Sequence, residues 1–470
     1  MDWDWRENDS DVASLLLGIA RTGILGSGAF YAPVIHVKST AMENMPSYEI
    51  DFEADRQESH LELDQFDHLG AYKKLGPIYS VEFRGERWVC IGGLEANAAA
   101  WKNPDIWNYH EALKPFREVM GDRHVTQMDG EAHREKRKQL KPGFGMGAIA
   151  RWIPAIDGIV SSELERVKDE ESSLHSFFMT ALTFANASTL LKTDLSLEEA
   201  ATFIRFEETF INSTVMSDED RAAFYNNPVF AKDRKLVFDF LRREIGERLS
   251  GKEVDDNFTH VIERTVVEGK DVDIQELVSE AYLLLMAGAG NTSKLLNCGL
   301  QHILSDIEWL DTLREELKSY CSESFLEGMK SFPMLKATIA EIERLFPAAP
   351  VLSRVVAKPF DFNGFVLEKG TKVLHMQTIT HFLEEVYEEP YRFKPQRWLE
   401  NDYSKKAQGT FGGSTHICLG MNLARVHIPI VLANILSKYD LVFKSEPDIL
   451  LNFNYGVPQV ADLMGVFRKR

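Results

Sequence analysis

The residues of this chain best suited to chemistry gather in ten positions near the C-terminus, Phe411 to Gly420, reading FGGSTHICLG. Cys418 is their centre. Gly412 and Gly413 permit tight, irregular backbone ahead of it. The residues that follow, Met421 to Lys438, are patterned as a helix. A cysteine where a glycine-bearing loop enters a helix meets the positive end of the helix dipole, and free amides there can point at its sulfur. Both effects favour the thiolate, the form that binds metal. With no second cysteine or ligand motif nearby, such a thiolate suggests one axial bond to a large prosthetic group. A buried cysteine at a helix start is the plainer reading of the same residues.

Three further constellations precede it. In DGEAHREKRKQLKPGF, Asp129 to Phe144, His133 and Arg137 are four apart and share a helical face. Arg134, Lys136 and Lys138 point elsewhere on that helix, as a solvated basic face or a cationic patch for an acidic redox protein. Gln275 to Ser305 reads as one long apolar helix with Gly288 and Gly290 inside it, each costing about 1 kcal/mol relative to alanine. Their missing side chains let another group approach. Thr292, four residues after Gly288, can bond back to that carbonyl and loosen the helix, leaving room for a small ligand or water; close helix packing is the alternative. Finally, Glu341 and Arg344 stand at i,i+3 and can pair.

The chain that must position these groups has 470 residues, with no linker, low-complexity tract or internal repeat. It reads as an N-terminal extension, 1–45, and one large helix-rich domain, 46–470. The formal net charge of −19 argues against a nucleic-acid partner. Four widely spaced cysteines, Cys90, Cys298, Cys321 and Cys418, fit a reducing, cytoplasmic compartment and exclude a disulfide framework. Residues 14–37 are moderately apolar but broken by Arg21, glycines and Pro33, whereas a spanning helix needs roughly 20 apolar residues. Surface docking of that segment is therefore expected rather than a transmembrane span. Ile78–Phe83 and Trp88–Ile91 read as a hairpin around Arg84-Gly85-Glu86, and Phe360–Leu374 as strand, Asn363-Gly364 turn, strand. Between them, Trp101 to Met128 is aromatic and irregular, suited either to facing a ligand or to core packing. Leu197–Ser213 and Phe230–Arg248 are amphipathic helices. Pro429 falls inside the helix after Cys418, where it should remove one backbone bond.

The order of these landmarks resembles the cytochrome P450 superfamily. Phe411, His416, Cys418 and Gly420 match its F-x-x-G-x-x-x-C-x-G haem-ligand loop, with Ser414 in place of the usual glycine. The resemblance implies a mainly α fold with small β-sheets (α+β) enclosing haem b. It implies iron ligation by Cys418, propionate binding by His133, Arg137 and Arg354, and a cofactor contact by His416, with Phe411 and Gly420, in the cysteine loop. Thr292 falls at the family's threonine and Asn291 where an acid is usual; Asn291 can order water but not carry a proton as a carboxylate does. Gly288 completes that oxygen-side motif. Glu341-x-x-Arg344 matches the family's E-x-x-R helix and Arg397 its third partner; breaking such a buried cluster costs ~3–5 kcal/mol. The substrate pocket would be lined by Ala289, Val351, Leu352, Tyr455 and Gly456. The implied activity is a monooxygenase acting on a hydrophobic small molecule by hydroxylation, epoxidation or oxidative demethylation. O2 would be co-substrate, and a monomer is expected. Electrons would come from NAD(P)H indirectly, through a separate ferredoxin and ferredoxin reductase. A peroxide-driven enzyme and a non-catalytic haem sensor are the alternatives.

Overall fold

Turns fall where the backbone takes conformations that few side chains tolerate. In the computed structural model Arg84 and Gly85 both have positive φ, 56° and 70°, as a two-residue hairpin of matching twist requires. After α1 (Asp67–Leu75) they join β1 (Ile78–Phe83) to β2 (Glu86–Gly92), antiparallel with Phe83 opposite Glu86. The structure describes residues 42–49, 67–251, 257–267, 273–321, 325, 332–444 and 463–470, all within one unit, Thr40–Arg470. Segment 14–37 and the pocket candidates Tyr455 and Gly456 lie outside the described residues.

The chain continues through α2 (Leu94–Lys102), α3 (Tyr109–Ala112), α4 (Lys114–Met120), α5 (Gly130–Leu140), α6 (Met146–Ala150) and α7 (Ile153–Val167). Next come β3 (Glu171–Ser173), α8 (Leu174–Asn186), α9 (Leu197–Ser213), α10 (Asp218–Phe224), α11 (Pro228–Leu249) and α12 (Asn257–Val267). The second half holds α13 (Ile274–Met286), α14 (Ala289–Ser305), α15 (Ile307–Glu316), α16 (Pro333–Leu345), α17 (Arg397–Glu400) and α18 (Met421–Lys438). Its strands are β4 (Leu352–Val355), β5 (Phe360–Phe362), β6 (Phe365–Leu367), β7 (Lys372–Met376), β8 (Tyr439–Phe443) and β9 (Met464–Lys469). The fold is mainly helical with small sheets, as expected.

The core lies where α8 packs between α7 and α14, with α18 laid against α7 and α14. α8 buries Leu174, Phe177, Phe178, Leu182 and Ala185, each large side chain contributing roughly 1.5–3 kcal/mol by leaving water. α18 is buried on nearly every side, so it is apolar all round rather than amphipathic. It runs unbroken through the buried Pro429. α9 begins with a capping box in which Ser196 and Glu199 satisfy each other's backbone amides.

Two element expectations are corrected. The central helix is not continuous: α13 ends at Met286 and α14 starts at Ala289, separated at Ala287-Gly288. The side chain of Asn186, at the end of α8, donates to the Leu285 carbonyl at 2.8 Å and so holds the break. The second hairpin is shorter than expected. Asn363 and Gly364, with φ of 49° and 84°, join β5 to β6 only. A further turn at Gly370 (φ 88°) sends β7 into a separate sheet of order β1-β2-β7-β4.

Candidate haem site

Three of the four cysteines lie within the fold's helices or sheets or at their edges, and their surroundings separate them. Cys90 and Cys298 are packed in the core. Cys418 is exposed, although it lies deep enough among protein atoms for burial to push its thiol pKa up. Its sulfur is thus accessible yet largely surrounded by protein atoms. The plainer reading, a packed core cysteine, does not describe it. The expected amides are present: those of Gly420 and Met421 favour the thiolate, as do the guanidinium groups of Arg137 and Arg425. Contrary to expectation, burial outweighs them and the thiol pKa is raised.

The loop is held by close backbone packing. The Cys418 amide donates to the Phe411 carbonyl at 2.9 Å, and Arg425 stacks over the Phe411 ring at 5.1 Å. A Cβ on Gly413 would meet the Trp101 ring at 2.4 Å, which explains a glycine there. Ser414 has φ 61°. The position where glycine is usual is therefore left-handed, and serine holds it at a cost of roughly 1–2 kcal/mol. Ser414→Gly is expected to stabilise the protein by about 1 kcal/mol after allowing for the freer unfolded chain, read as a raised Tm.

α5 delivers His133 and Arg137 on one face, as their spacing predicts. The His416 ring is sandwiched between Tyr109, at 3.5 Å and 10°, and His133, at 3.7 Å and 1°. Its Nε2–H donates to the Met128 carbonyl at 3.1 Å. Burial, then His133 and Arg354, lower the His416 pKa to about 2. Burial, then Arg137 and Arg134, lower that of His133 to about 4. Both rings are therefore neutral and can donate or accept without adding charge. Arg354, on β4, is buried, stacks over Tyr109 at 4.7 Å and donates to the Ser353 carbonyl at 2.8 Å. Arg137 is half-buried and has no hydrogen bond or ion pair among the described residues. The Arg137 charge acts on Cys418, and the Arg354 charge on His416. A cleft of about 590 Å³ is lined by Tyr109, His133, Arg134, Thr415 and His416.

The aromatic segment divides between core and site. Trp107 is core and Trp101 covers the cysteine loop, whereas Tyr109 enters the cation cluster. Tyr109 was legible only as one aromatic among several. The expected cationic patch does not form. Arg134 pairs with Glu131 at 2.7 Å and Lys138 with Glu135 at 2.6 Å, while Lys136 is buried against Glu276 and Glu280.

On α14, Ala289 and Thr292 are buried, and Asn291 is exposed with its amide donating to the Ala287 carbonyl at 3.3 Å. The Gly288 carbonyl is taken by the Thr292 amide at 3.1 Å, not by its hydroxyl as expected. Val351 is buried and Leu352 half-buried at the start of β4. The ion cluster is complete. Arg344 grips Glu341 through two bonds of 2.9 and 2.8 Å, and Arg397 reaches Glu341 Oε1 at 3.1 Å. Trp398 Nε1, which the sequence did not single out, donates to Glu341 Oε2 at 2.8 Å.

The family model described as Cytochrome P450 matches residues 58–460 of this chain. The chain belongs to the cytochrome P450 family. It is 26% identical over 399 residues to cytochrome P450 26B1 of Xenopus tropicalis, covering 80% of this chain and 78% of that one. It is 31% identical over 173 residues to the mitochondrial sterol 26-hydroxylase of Homo sapiens, 35% of this chain and 33% of that one. In fold it matches the solved structure of retinoic-acid-bound cyanobacterial CYP120A1 with a TM-score of 0.76 and 20% identity, covering 87% of this chain and 95% of that one. As a cytochrome P450 it is a haem-thiolate monooxygenase that uses O2, a small-molecule substrate and a redox partner. Among the described residues no helix is long and apolar enough to cross a membrane.

Proposed function

We propose that this chain inserts one oxygen atom from O2 into a hydrophobic small molecule, with electrons from a separate ferredoxin-type partner fed by NAD(P)H. The observation that carries the site assignment is Cys418, accessible yet desolvated, with the unpaired Arg137 close enough for its charge to act on the thiol. In this reading Cys418 ligates the iron of haem b, and Arg137 and Arg354 take its propionates. Neutral His133 completes the propionate contacts; His416, whose one N–H goes to the Met128 carbonyl, does not donate to a propionate but stacks between Tyr109 and His133, with Phe411 and Gly420 shaping the loop. The bound haem supplies reductive activation of O2, favoured by electron donation from the thiolate. Thr292 and Asn291, just after the break at Gly288, would order water for the oxygen chemistry. Ala289, Val351 and Leu352 give the substrate an apolar surface, joined by Tyr455 and Gly456 beyond the described residues. The domain boundary is placed at 45/46, the haem domain being 46–470.

Retinoic acid in the CYP120A1 structure and the sterol named for the human relative are both extended apolar molecules, and they are the first substrates to test. With ferredoxin, its reductase and NADPH, oxidised product is expected from at least one of them. Product formed with hydrogen peroxide alone, and none with the electron-transfer partners, would favour the peroxide-driven alternative. Asn291 is the feature that keeps that alternative in view.

A further inference from the structure

One carboxylate of α16 takes no part in the buried ion cluster. Glu343 lies between Glu341 and Arg344 in sequence, yet its side chain meets α18 instead. Its Oε2 is 3.6 Å from Arg425 Nη2, within ion-pair reach but too long for a hydrogen bond. The residue is buried, and among the described residues its Oε1 has no hydrogen-bond partner. Arg425, in the second turn of α18, is half-exposed, and its guanidinium lies over the Phe411 ring at 5.1 Å. Phe411 in turn accepts the Cys418 amide on its carbonyl at 2.9 Å. The Thr410 hydroxyl donates to the Glu343 carbonyl at 2.7 Å. One residue of α16 therefore holds both flanks of the cysteine loop, the entry through Thr410 and the exit through Arg425. We propose that Glu343 is a positioning residue for this site. Through Arg425 it sets how much positive charge acts on the Cys418 sulfur, and with it the potential at which the haem-loaded protein takes up an electron.

The charges give the effect a sign. Arg425 is, with Arg137, one of two guanidinium groups that favour the Cys418 thiolate. Uptake of an electron adds negative charge at the site, so a nearby cation eases it and a nearby carboxylate opposes it. A half-exposed arginine has many rotamers open to it, and holding it in one place costs side-chain entropy. Two contacts restrict Arg425: the Phe411 ring beneath it and the Glu343 carboxylate beside it. The carboxylate thus fixes the cation over the loop while offsetting part of its charge there.

The neighbouring charges of α16 do not share this task. Glu341 and Arg344 close on one another and on Arg397, and Arg425 is the cation that acts on Glu343. Burial raises the Glu343 pKa and Arg425 pulls it back down. Deprived of Arg425, a buried carboxylate with an unpartnered oxygen takes up a proton rather than stay charged. The carboxylate therefore matters to the loop only while Arg425 is present. The pair also ties α16 to α18, so a purely structural role is the competing outcome.

The proposal rests on Cys418 as the iron ligand, and the experiment separates the two. The haem-loaded full chain is titrated with dithionite in the presence of redox dyes, and its midpoint potential is read from absorption. Each protein is then reduced under carbon monoxide, which reports thiolate ligation independently of the potential. Glu343→Gln leaves the Arg425 charge unopposed and should favour the reduced form about tenfold, the order expected of one unit charge acting within the protein. For one electron that is ~59 mV upward. Arg425→Gln should disfavour the reduced form by a similar factor, whereas Arg425→Lys keeps the charge and should stay near the parent. Adding Glu343→Gln to Arg425→Gln should change nothing further. Should Glu343→Gln fail to fold, Glu343→Asp, which withdraws the carboxylate by one methylene, must move the potential in the same direction. Unchanged potentials in Glu343→Gln and Arg425→Gln, with the thiolate band kept, would refute the proposal and leave the ligation reading standing. A lower Tm in Glu343→Gln without a shift in potential would make the pair a structural tie and overturn it as well. A full Glu343→Gln shift in the Arg425→Gln background would mean that the carboxylate acts directly, against a role through Arg425. Absence of the thiolate band from the parent itself would sink the ligation reading, and the proposal with it.

Discussion

Cys418→Ala is expected to abolish oxygen insertion while leaving the haem-free fold intact. The sulfur is accessible rather than closed off by packed neighbours, so its loss removes little buried contact, unlike a core truncation. The loop itself is held by the Cys418 amide on the Phe411 carbonyl, which alanine keeps. The stability of the haem-free chain should therefore change by about 0.5 kcal/mol or less, as at sites outside the core. With haem held by Cys418 as proposed, the same substitution would also remove that ligand, and with it stabilisation that bound haem would add by mass action. Thermal melting with and without haem separates these effects. An equal loss of Tm in both states would show that Cys418 is needed for packing rather than for ligation.

Arg344→Ala should produce the largest loss of stability. Glu341 and Arg344 are both buried, and Arg344 also donates to the backbone carbonyls of His381, Pro390 and Arg392. Removing the guanidinium leaves a buried carboxylate with weaker compensation and three carbonyls without this donor, at ~3–5 kcal/mol. The effect is pH-dependent with a definite sign. Burial raises the Glu341 pKa, but Arg344, Arg397 and the Lys394 amide together hold it below the usual 4.5. A carboxylate whose folded pKa is depressed contributes stability that is fully present above its unfolded pKa and lost as pH falls through the folded value. The gap between parent and variant in urea unfolding should therefore be widest at neutral pH and narrow in acid below about 4.5. A gap that is constant across this range would mean that the ion cluster is not the source of the loss.

Much of the site was legible because its spacing is local. Glu341 and Arg344 meet within one turn, and His133 and Arg137 share a face, so helical geometry alone brings each pair together. The haem-ligand loop was legible because the glycines, Cys418 and the helix after it are contiguous. Contacts between distant segments were not. Nothing in the sequence pairs Trp398 with Glu341, places Tyr109 against His416, or puts the Asn186 amide into the break after Met286. Nor did the sequence reveal that Lys136 would be buried against Glu276 and Glu280, which are far from it along the chain. Ser414 shows the opposite limit. Its departure from the usual glycine was visible, but only its φ of 61° explains what the glycine is for.

Cys418 ligation of haem iron is the central claim, and the absorption spectrum of the reduced protein with carbon monoxide tests it most directly. The account predicts a Soret band at the thiolate-ligated position in the parent and its disappearance in Cys418→Ala. A band that survives that substitution, or no haem band at all in folded protein supplied with haem, would contradict it.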